Sequence, residues 1–436
     1  SGGVSNPVLI ELPTAPVLSI GKLQHANLSV HAHMPALAVG NSLASVYIDP
    51  AASYSIQDNF YGESRMLYDL SYHMNEALWD RYFFTGYSVP YDPDSDDYDE
   101  NNSSPADSFD RAFFAEDPEA LPNPRMRLQA SAQEAKAAIR EKLFDGAEIK
   151  EDAYRRAAEN LMVAGSFNVN STSVEAWRAV LAGARDLAIY RSGQTSATPV
   201  AAGDTPFSRF AQPVEAESTG TPGSSQTWAG FRSLDDSQVE RLAREIVSEL
   251  KTRISAQSPE RPYLSLADFV NRELSATERG RRGLLQAAID RSGLNDSLKT
   301  SAADISEASL SNSDTGVFPY PSNILEADGK NSSGNSSAPT YLMQADVLQA
   351  IGSFISVRSD TFRIRSYGET LDEVTGEVLS QVWLEAVVQR LPEPIAPRGG
   401  LQDIEFWETV SASGAPQPFG RRFEIVSVRQ LSKDEI

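Results

Sequence analysis

The chain has no cysteine, only four histidines and no long apolar run, and these shortages limit the sites and structures that it can form. Without cysteine, disulfides, thiolate metal ligands and thiol nucleophiles are excluded, although the cellular compartment is not fixed by this absence. No stretch approaches the roughly 18–20 apolar residues that a membrane-spanning helix needs. Residues 1–5 also lack the basic and apolar regions of a signal peptide. We therefore expect a soluble chain that is a processed or trimmed form of a longer one.

Acidic residues outnumber basic ones by 60 to 38, which gives a formal net charge of -22. A surface of this charge is repelled by nucleic acid phosphates and by anionic membranes, so no binding to nucleic acid is expected. The length of 436 residues exceeds what one ordinary hydrophobic core supports and predicts two or three cores.

Residues 1–125 are predicted to form a strand- and loop-rich N-terminal region with one helix. Up to residue 49 the apolar residues follow no helical spacing, and segments such as 28–30 and 44–48 favour short strands. Residues 66–79 instead place four apolar side chains on one helical face: Leu67, Leu70, Met74 and Leu78. Residues 91–102 are so rich in aspartate that we expect an exposed acidic loop.

Residues 126–296 are predicted to form a helical domain around the segment 167–181. Thr172 and Glu175 have the spacing of a capping box, so a helix is expected to begin just after Thr172. Its apolar stripe comprises Val174, Trp177, Val180, Leu181 and Ala184. This stripe needs a partner.

A second short segment, 261–270, repeats the pattern with Ser265 and Asp268 as the cap. Its stripe comprises Leu266, Phe269, Val270 and Leu274. We expect the two stripes to pack together as a structural nucleus.

Further helices are predicted at 130–143, at 151–161 and after Asp235, where Gln238 completes a cap. The last of these has the most regular apolar stripe in the chain: Val239, Leu242, Ala243, Ile246, Val247, Leu250 and Ile254. Residues 192–228, rich in Gly, Ser, Thr and Pro, are expected to be an inserted loop.

Residues 297–339 are predicted to be a Ser/Asn/Gly-rich linker, and 340–436 an antiparallel β domain with one covering helix at 344–351. Alternating apolar and polar residues predict strands at 361–368, 378–390 and 420–429. The fold class that follows is α+β, with a helical domain and a small antiparallel sheet behind a strand- and loop-rich region.

The sequence offers few candidates for chemistry. His31 and His33 have a spacing that two metal ligands on a strand could use, but a third ligand is not evident. The acidic run 91–102 could bind calcium, yet it lacks the glycine and terminal glutamate of an EF-hand loop.

No Gly-x-Ser-x-Gly elbow or phosphate-binding loop is present. The basic cluster Arg279, Arg281 and Arg282 is interpreted as a helix end or salt-bridge site. We therefore predict no catalytic, cofactor-binding or metal-ligating residue.

Five segments resemble the C-terminal part of the Verru_Chthon cassette protein A family. They are FNVNSTSVEAW (167–177), RPYLSLADFV (261–270), YLMQADVL (341–348), VRSDTFRIRSYG (357–368) and GRRFEIVSVR (420–429). The resemblance implies a large protein with a pilin-like membrane segment at its N-terminus, encoded beside other pilin-like proteins. The present sequence lacks such a segment, so contact with a membrane is expected only through it.

More distantly, the segments from 167 to 181 and from 263 to 274, with a sheet ending at 387–390, resemble the K-type minor pseudopilin of type II secretion. That resemblance implies a helix-hairpin-helix-like helical domain followed by a small pseudopilin sheet. It also implies a role in capping a pseudopilus tip through protein contacts, without catalysis.

The hypothesis that unites these observations is a non-enzymatic structural subunit of a pilin-like or secretion-associated assembly, periplasmic or at the bacterial cell surface. Its partners are expected to be other pilin-like subunits. Two alternatives stay open: a self-assembling secreted adhesin or filament subunit, and a secreted hydrolase. The residues expected to matter are core aromatics: Trp177, Phe167, Phe269 and Trp383.

Overall fold

A computed structural model describes the ranges 19–26, 37–58, 64–79, 125–128, 138–150, 161–214, 228–257, 261–298, 338–394 and 421–432, with short gaps inside several of them and a few isolated positions between them. The acidic loop 91–102, His31 and His33 lie outside these residues, as do most of the helix predicted at 130–143 and most of the linker 297–339. The helix predicted at 151–161 also lies outside them except for Leu161, which is the first residue of a strand, so the predicted helix end is wrong. In the described part, helices and sheets of two or three strands are mixed, which confirms the α+β class in its general form.

The α-helices are α1 (Leu70–Leu78), α2 (Val174–Leu181), α3 (Asp236–Ser255), α4 (Leu266–Val270), α5 (Leu284–Arg291) and α6 (Gln344–Ile351). Short 3-10 helices lie at Ile20–His25, Ala182–Ala184, Glu278–Gly280 and Asp296–Leu298. The strands are β1 (Tyr54–Asp58), β2 (Ser64–Tyr68), β3 (Met126–Leu128), β4 (Phe144–Asp145), β5 (Glu148–Ile149), β6 (Leu161–Val163), β7 (Phe167–Asn168), β8 (Thr205–Ser208), β9 (Phe231–Leu234), β10 (Ile355–Ser356), β11 (Thr361–Leu371), β12 (Val378–Pro394) and β13 (Arg421–Leu431). No helix in the described part is long and apolar enough to cross a membrane.

Helix α3 is the longest element of the main core and begins where the sequence predicts. The Asp235 carboxylate accepts the backbone N–H of Gln238 at 2.9 Å, and the Gln238 side chain accepts the N–H of Asp235 at 3.0 Å. This reciprocal cap satisfies two donors that a helix start otherwise leaves unpaired. Its apolar stripe is buried from Val239 to Leu250 and packs against α2 and α5.

The two capped segments pack together, as expected. Trp177 is fully buried, with its ring 4.8 Å from that of Phe167 and 6.2 Å from that of Phe269. The predicted start of α2 is wrong by one residue, because the Ser173 hydroxyl, not Thr172, accepts the N–H of Ala176 at 3.2 Å. Leu274 is also misassigned: it lies beyond the end of α4 and is 43% exposed.

The segment 192–228 is not only a loop. Its residues Thr205–Ser208 form β8, which pairs antiparallel with β9. Phe207 and Phe210 are buried, and so is Arg209 between them in sequence. A buried hairpin strand therefore lies in a stretch whose composition predicts a loop.

Helix α6 has the predicted bounds, but it does not pack on the C-terminal sheet as predicted. It packs in the main core, against α2, α5, β8 and the 3-10 helix Ile20–His25, and its residues from 344 to 348 are all buried. The Gln344 side chain donates to the carbonyl oxygens of Gly40 and Val270 at 2.9 and 2.7 Å. The expected covering helix of the β domain thus belongs to the main body, because both its apolar and its polar side chains find partners there.

The N-terminal region also departs from its prediction at two places. Residues 46–48 form a turn instead of a strand. The helix predicted at 66–79 begins only at Leu70, because Asp69 caps it by accepting the N–H of Tyr72 at 3.0 Å. The residues before it, Ser64–Tyr68, form β2 and pair with β1.

Candidate interaction surface

The C-terminal strands form a three-stranded antiparallel sheet in the order β11-β12-β13, as the sequence predicts. In β11 and β12, Phe362 pairs with Val388, Ile364 with Ala386 and Gly368 with Val382. On the other side of β12, Ala386 pairs with Val428 and Val388 with Ile425. Because directly paired residues point to the same face, one face of the sheet collects most of the aliphatic side chains and both phenylalanines, whereas Tyr367, Trp383, Val387 and Leu431 lie on the face of Glu385.

We name this surface the apolar face. Its apolar members are Phe362, Ile364, Val382, Leu384, Ala386, Val388, Phe423, Ile425 and Val428, and Ser366, Arg390 and Gln430 lie on the same face. Ile364, Phe423, Ile425 and Val428 are 52%, 58%, 65% and 58% exposed. The rings of Phe362 and Phe423 lie 6.3 Å apart on it. Single exposed apolar residues are ordinary, whereas a contiguous exposed patch marks a contact site.

The opposite face is polar and centres on Glu385. Arg365 Nε donates to Glu385 Oε2 at 2.9 Å, and Arg429 Nε donates to Oε1 at 3.1 Å. The hydrogen bond from Arg365, followed by that from Arg429, holds the pKa of Glu385 below its usual range against the effect of desolvation. The carboxylate is thus kept charged, and three arginines, including Arg363, converge on it. The two faces of the sheet are therefore chemically distinct.

Trp383 lies on this polar face and is half-buried, so the prediction that it is a core residue is wrong. Its ring packs on Tyr367 at 5.3 Å between centroids. The strand pattern places Trp383 correctly on the face of Glu385, but it does not show how far the side chain of Trp383 is exposed.

The sheet is joined to the main body through Asn170. Strand β10 pairs in parallel with β7, and Asn170 Nδ2 donates to the carbonyl oxygens of Val357 and Tyr263, both at 3.0 Å. The same side chain accepts the N–H of Tyr263 at 2.8 Å. One residue of the nucleus thereby holds α4 and the segment that leads into β11.

The described residues that the sequence singled out for chemistry have structural partners, except that neither ring nitrogen of His25 has a hydrogen-bond partner. Arg279, Arg281 and Arg282 pair with Glu273, Glu278 and Asp290, which confirms the salt-bridge interpretation.

His73 contacts the Ser53 carbonyl and Glu76, and His25 is buried against Phe210. Among the described residues there is no group of three or more His, Asp or Glu placed to hold a metal ion.

Sequence reasoning missed two features of the surface. The first is that the apolar face is open, since the helix expected to cover it packs elsewhere. The second is Gly368, which leaves a shallow place in that face; an isolated glycine inside an alternating strand is the signal that could have revealed it.

Comparisons of the chain with family models, with curated proteins and with solved structures found no match.

Proposed function

We propose that the chain is a non-enzymatic structural subunit of a pilin-like or secretion-associated cell-surface assembly, and that the apolar face is its contact with a neighbouring protein. The observation that carries this proposal is the exposure of that face, with Phe423 and Ile425 more than half exposed. Side chains of this type are depleted from free surfaces because removing each from water contributes about 1.5–3 kcal/mol when burial is complete. The resemblances noted above supply the pilin-like context and the periplasmic or extracellular location.

The buried ionisable groups of the body support a structural role. Arg209 binds Asp346 through two hydrogen bonds of 3.0 and 2.9 Å, and Arg272 binds Asp69 through two of 3.0 and 2.8 Å. In each pair the arginine also donates to backbone carbonyl oxygens, such as Tyr341 O for Arg209. These ion pairs link segments that are distant in the sequence, as expected of a rigid structural subunit.

The experiment compares two variants in the native cells. Ile425→Glu places a carboxylate on the apolar face, whereas Ser427→Glu places one on the opposite face of the same strand. Immunogold labelling should show the wild type and Ser427→Glu on a cell-surface assembly, with Ile425→Glu released from it. Equal distribution of all three proteins, or an unassembled wild type, would contradict the proposal.

A second candidate is the self-assembling adhesin or filament subunit, which one observation favours. In the described part of the sheet, β11 and β13 are the terminal strands, and terminal strands can pair with other chains. Electron microscopy of the purified protein distinguishes the two: regular filaments formed without other subunits would favour self-assembly.

A further inference from the structure

Residues 19–26, which include the first 3-10 helix, are held against α6 by side chains. The Ser19 hydroxyl donates to the carbonyl oxygen of Leu348 at 3.1 Å, and Gln24 Nε2 donates to Gln349 Oε1 at 3.1 Å. In the described part of the chain, no backbone-to-backbone hydrogen bond joins residues 19–26 to another element. A segment attached in this way can open locally at a smaller free-energy cost than global unfolding.

We name residues 19–26 the latch. At Gly21 an added Cβ atom would lie 2.8 Å from the backbone nitrogen of Gln349, which is closer than Cβ atoms approach other atoms in proteins. The neighbouring Ile20 is 4% exposed. Dispersion contacts weaken steeply once packed groups separate, so the latch is either seated on α6 or free of it.

His25 is the last residue of the 3-10 helix in the latch, and its surroundings do not suit a charged ring. It is 2% exposed, and its ring stacks on that of Phe210 with centroids 5.2 Å apart. Neither ring nitrogen has a hydrogen-bond partner. The neutral imidazole leaves one N–H unpaired, whereas the imidazolium would leave two and add a charge. A buried charge without a partner is far more costly than a buried neutral group.

The charged groups that face His25 from the described elements around it favour its neutral form. Arg209, which follows β8, and Asp346, which lies on α6, bind each other through hydrogen bonds of 3.0 and 2.9 Å. The carboxylate is therefore already engaged, and the guanidinium repels a second cation. Burial, and then Arg209, lower the pKa of His25 to about 4, although Asp346 opposes the shift. Lys22, the other ionisable side chain of the latch, is also a cation.

We propose that the latch detaches from α6 in mild acid while the rest of the main core stays folded, because protonation of His25 creates a buried cation without an acceptor. Once released, the latch places the imidazolium in water, where it is solvated. The release also uncovers the side of α6 that carries Leu348 and Gln349. This device goes beyond the proposed function and does not depend on it.

The direction of the pH dependence follows from the two states of the latch. The pKa of His25 is about 4 in the docked latch and near 6.5 in the released one. Docking is therefore at full strength above about pH 6.5 and weakens as the pH falls toward 4, because only the released latch takes up the proton. Between pH 7 and pH 5 the equilibrium constant for opening should rise about twentyfold.

Hydrogen–deuterium exchange of the full chain at pH 7 and pH 5, read by mass spectrometry and corrected for the intrinsic pH dependence of exchange, tests the inference. In the wild type, protection of the latch should fall about twentyfold at pH 5, while the amides of α3 stay protected. His25→Phe should keep the latch protected at both pH values. His73→Phe, which removes a partly buried histidine of α1, should respond as the wild type does. Latch protection that does not change with pH, that is lost together with protection of α3, or that falls equally in His25→Phe would overturn the inference.

A second pair of variants keeps the latch testable if His25→Phe folds poorly. Gly21→Ala adds the Cβ atom that meets the backbone of Gln349, so latch protection at pH 7 should fall about tenfold or more with α3 still protected. Gly183→Ala adds the same atom in another 3-10 helix, where no other group lies within 4 Å of it, and should leave the latch protected. Equal latch protection in the two variants, or loss of protection in α3 of Gly21→Ala, would show that the latch is not a separate opening unit.

Discussion

The side chain of Asn170 brackets the backbone of Tyr263: its Oδ1 accepts the N–H of Tyr263 at 2.8 Å, and its Nδ2 donates to the carbonyl oxygen at 3.0 Å. Because the same Nδ2 also donates to Val357, this single amide links the nucleus to the segment that leads into the sheet. The contact surface is thereby positioned by a residue of the body.

Replacement of Asn170 should therefore destabilise the whole chain. Asn170→Ala leaves partly buried backbone groups without partners and should lower the free energy of unfolding by about 2–4 kcal/mol. Asn170→Asp keeps an acceptor for the N–H of Tyr263, but it sets a carboxylate oxygen against the carbonyl oxygens of Val357 and Tyr263, so it should be no more stable than Asn170→Ala. Urea denaturation measures the difference. A loss below about 0.5 kcal/mol for Asn170→Ala would show that the amide does not hold these segments.

Trp177 and Trp383 should respond differently to truncation. Trp177 is fully buried, and its indole N–H donates to Ser171 O at 2.8 Å, so Trp177→Ala should cost about 3–5 kcal/mol. Trp383 is half-buried on the polar face of the sheet, and Trp383→Ala should cost less than half as much. Thermal and urea unfolding of both variants measure the contrast. Equal losses would contradict the assignment of Trp177 as the core anchor.

These two tryptophans also show how much the sequence predicts. The cap of α3 and the alternation of β12 depend on neighbouring residues, so they were predicted with nearly correct bounds. The burial of Trp177 followed from its place on an amphipathic stripe. The exposure of Trp383 depends on contacts with segments distant in the sequence, and the strand pattern carries no information about them.

The same limit explains the errors at β8 and α6. The strand Thr205–Ser208 lies in a Gly/Ser/Thr-rich stretch and is defined by its pairing with β9, about 25 residues away. Helix α6 is held in the core partly by the ion pair between Asp346 and Arg209, which are 137 positions apart in the sequence. Such pairings are decided by tertiary contacts, which local propensity does not encode.

The contribution of the ion pair between Arg209 and Asp346 to the free energy of unfolding can be compared with that of an exposed ion pair. Arg209 and Asp346 are 2% and 3% exposed, so Arg209→Met leaves a buried carboxylate without its cation and should cost about 3–5 kcal/mol. The double variant Arg209→Met with Asp346→Leu removes both charges and should recover part of the loss. Arg244→Met breaks the exposed i,i+4 pair with Glu240 and should cost less than about 1 kcal/mol. A double variant no more stable than Arg209→Met would contradict this account.

His25 should make the stability depend on pH. Burial, and then the charge of Arg209, lower the pKa of His25 from 6.5 to about 4, although Asp346 opposes the shift. Between these values the unfolded chain binds a proton that the folded chain does not. The free energy of unfolding should therefore fall by up to about 1.4 kcal/mol for each pH unit from 6.5 down to about 4.

Urea denaturation at pH 7, 6 and 5 measures this contribution, with His25→Phe as the comparison. The variant keeps an aromatic ring against Phe210 but cannot titrate, so its stability should fall less steeply with acidification. Identical slopes for the variant and the wild type would contradict the assignment.

The most direct test of the central claim is hydroxyl-radical footprinting, read by mass spectrometry, of the protein in its native cellular context and as a dilute purified chain. The account predicts that Phe362 and Phe423 on the apolar face are labelled in the dilute chain and protected in the cells, while Tyr367 on the opposite face is labelled equally in both. Equal labelling of Phe362 and Phe423 in the two samples would show that nothing covers the apolar face and would contradict the account.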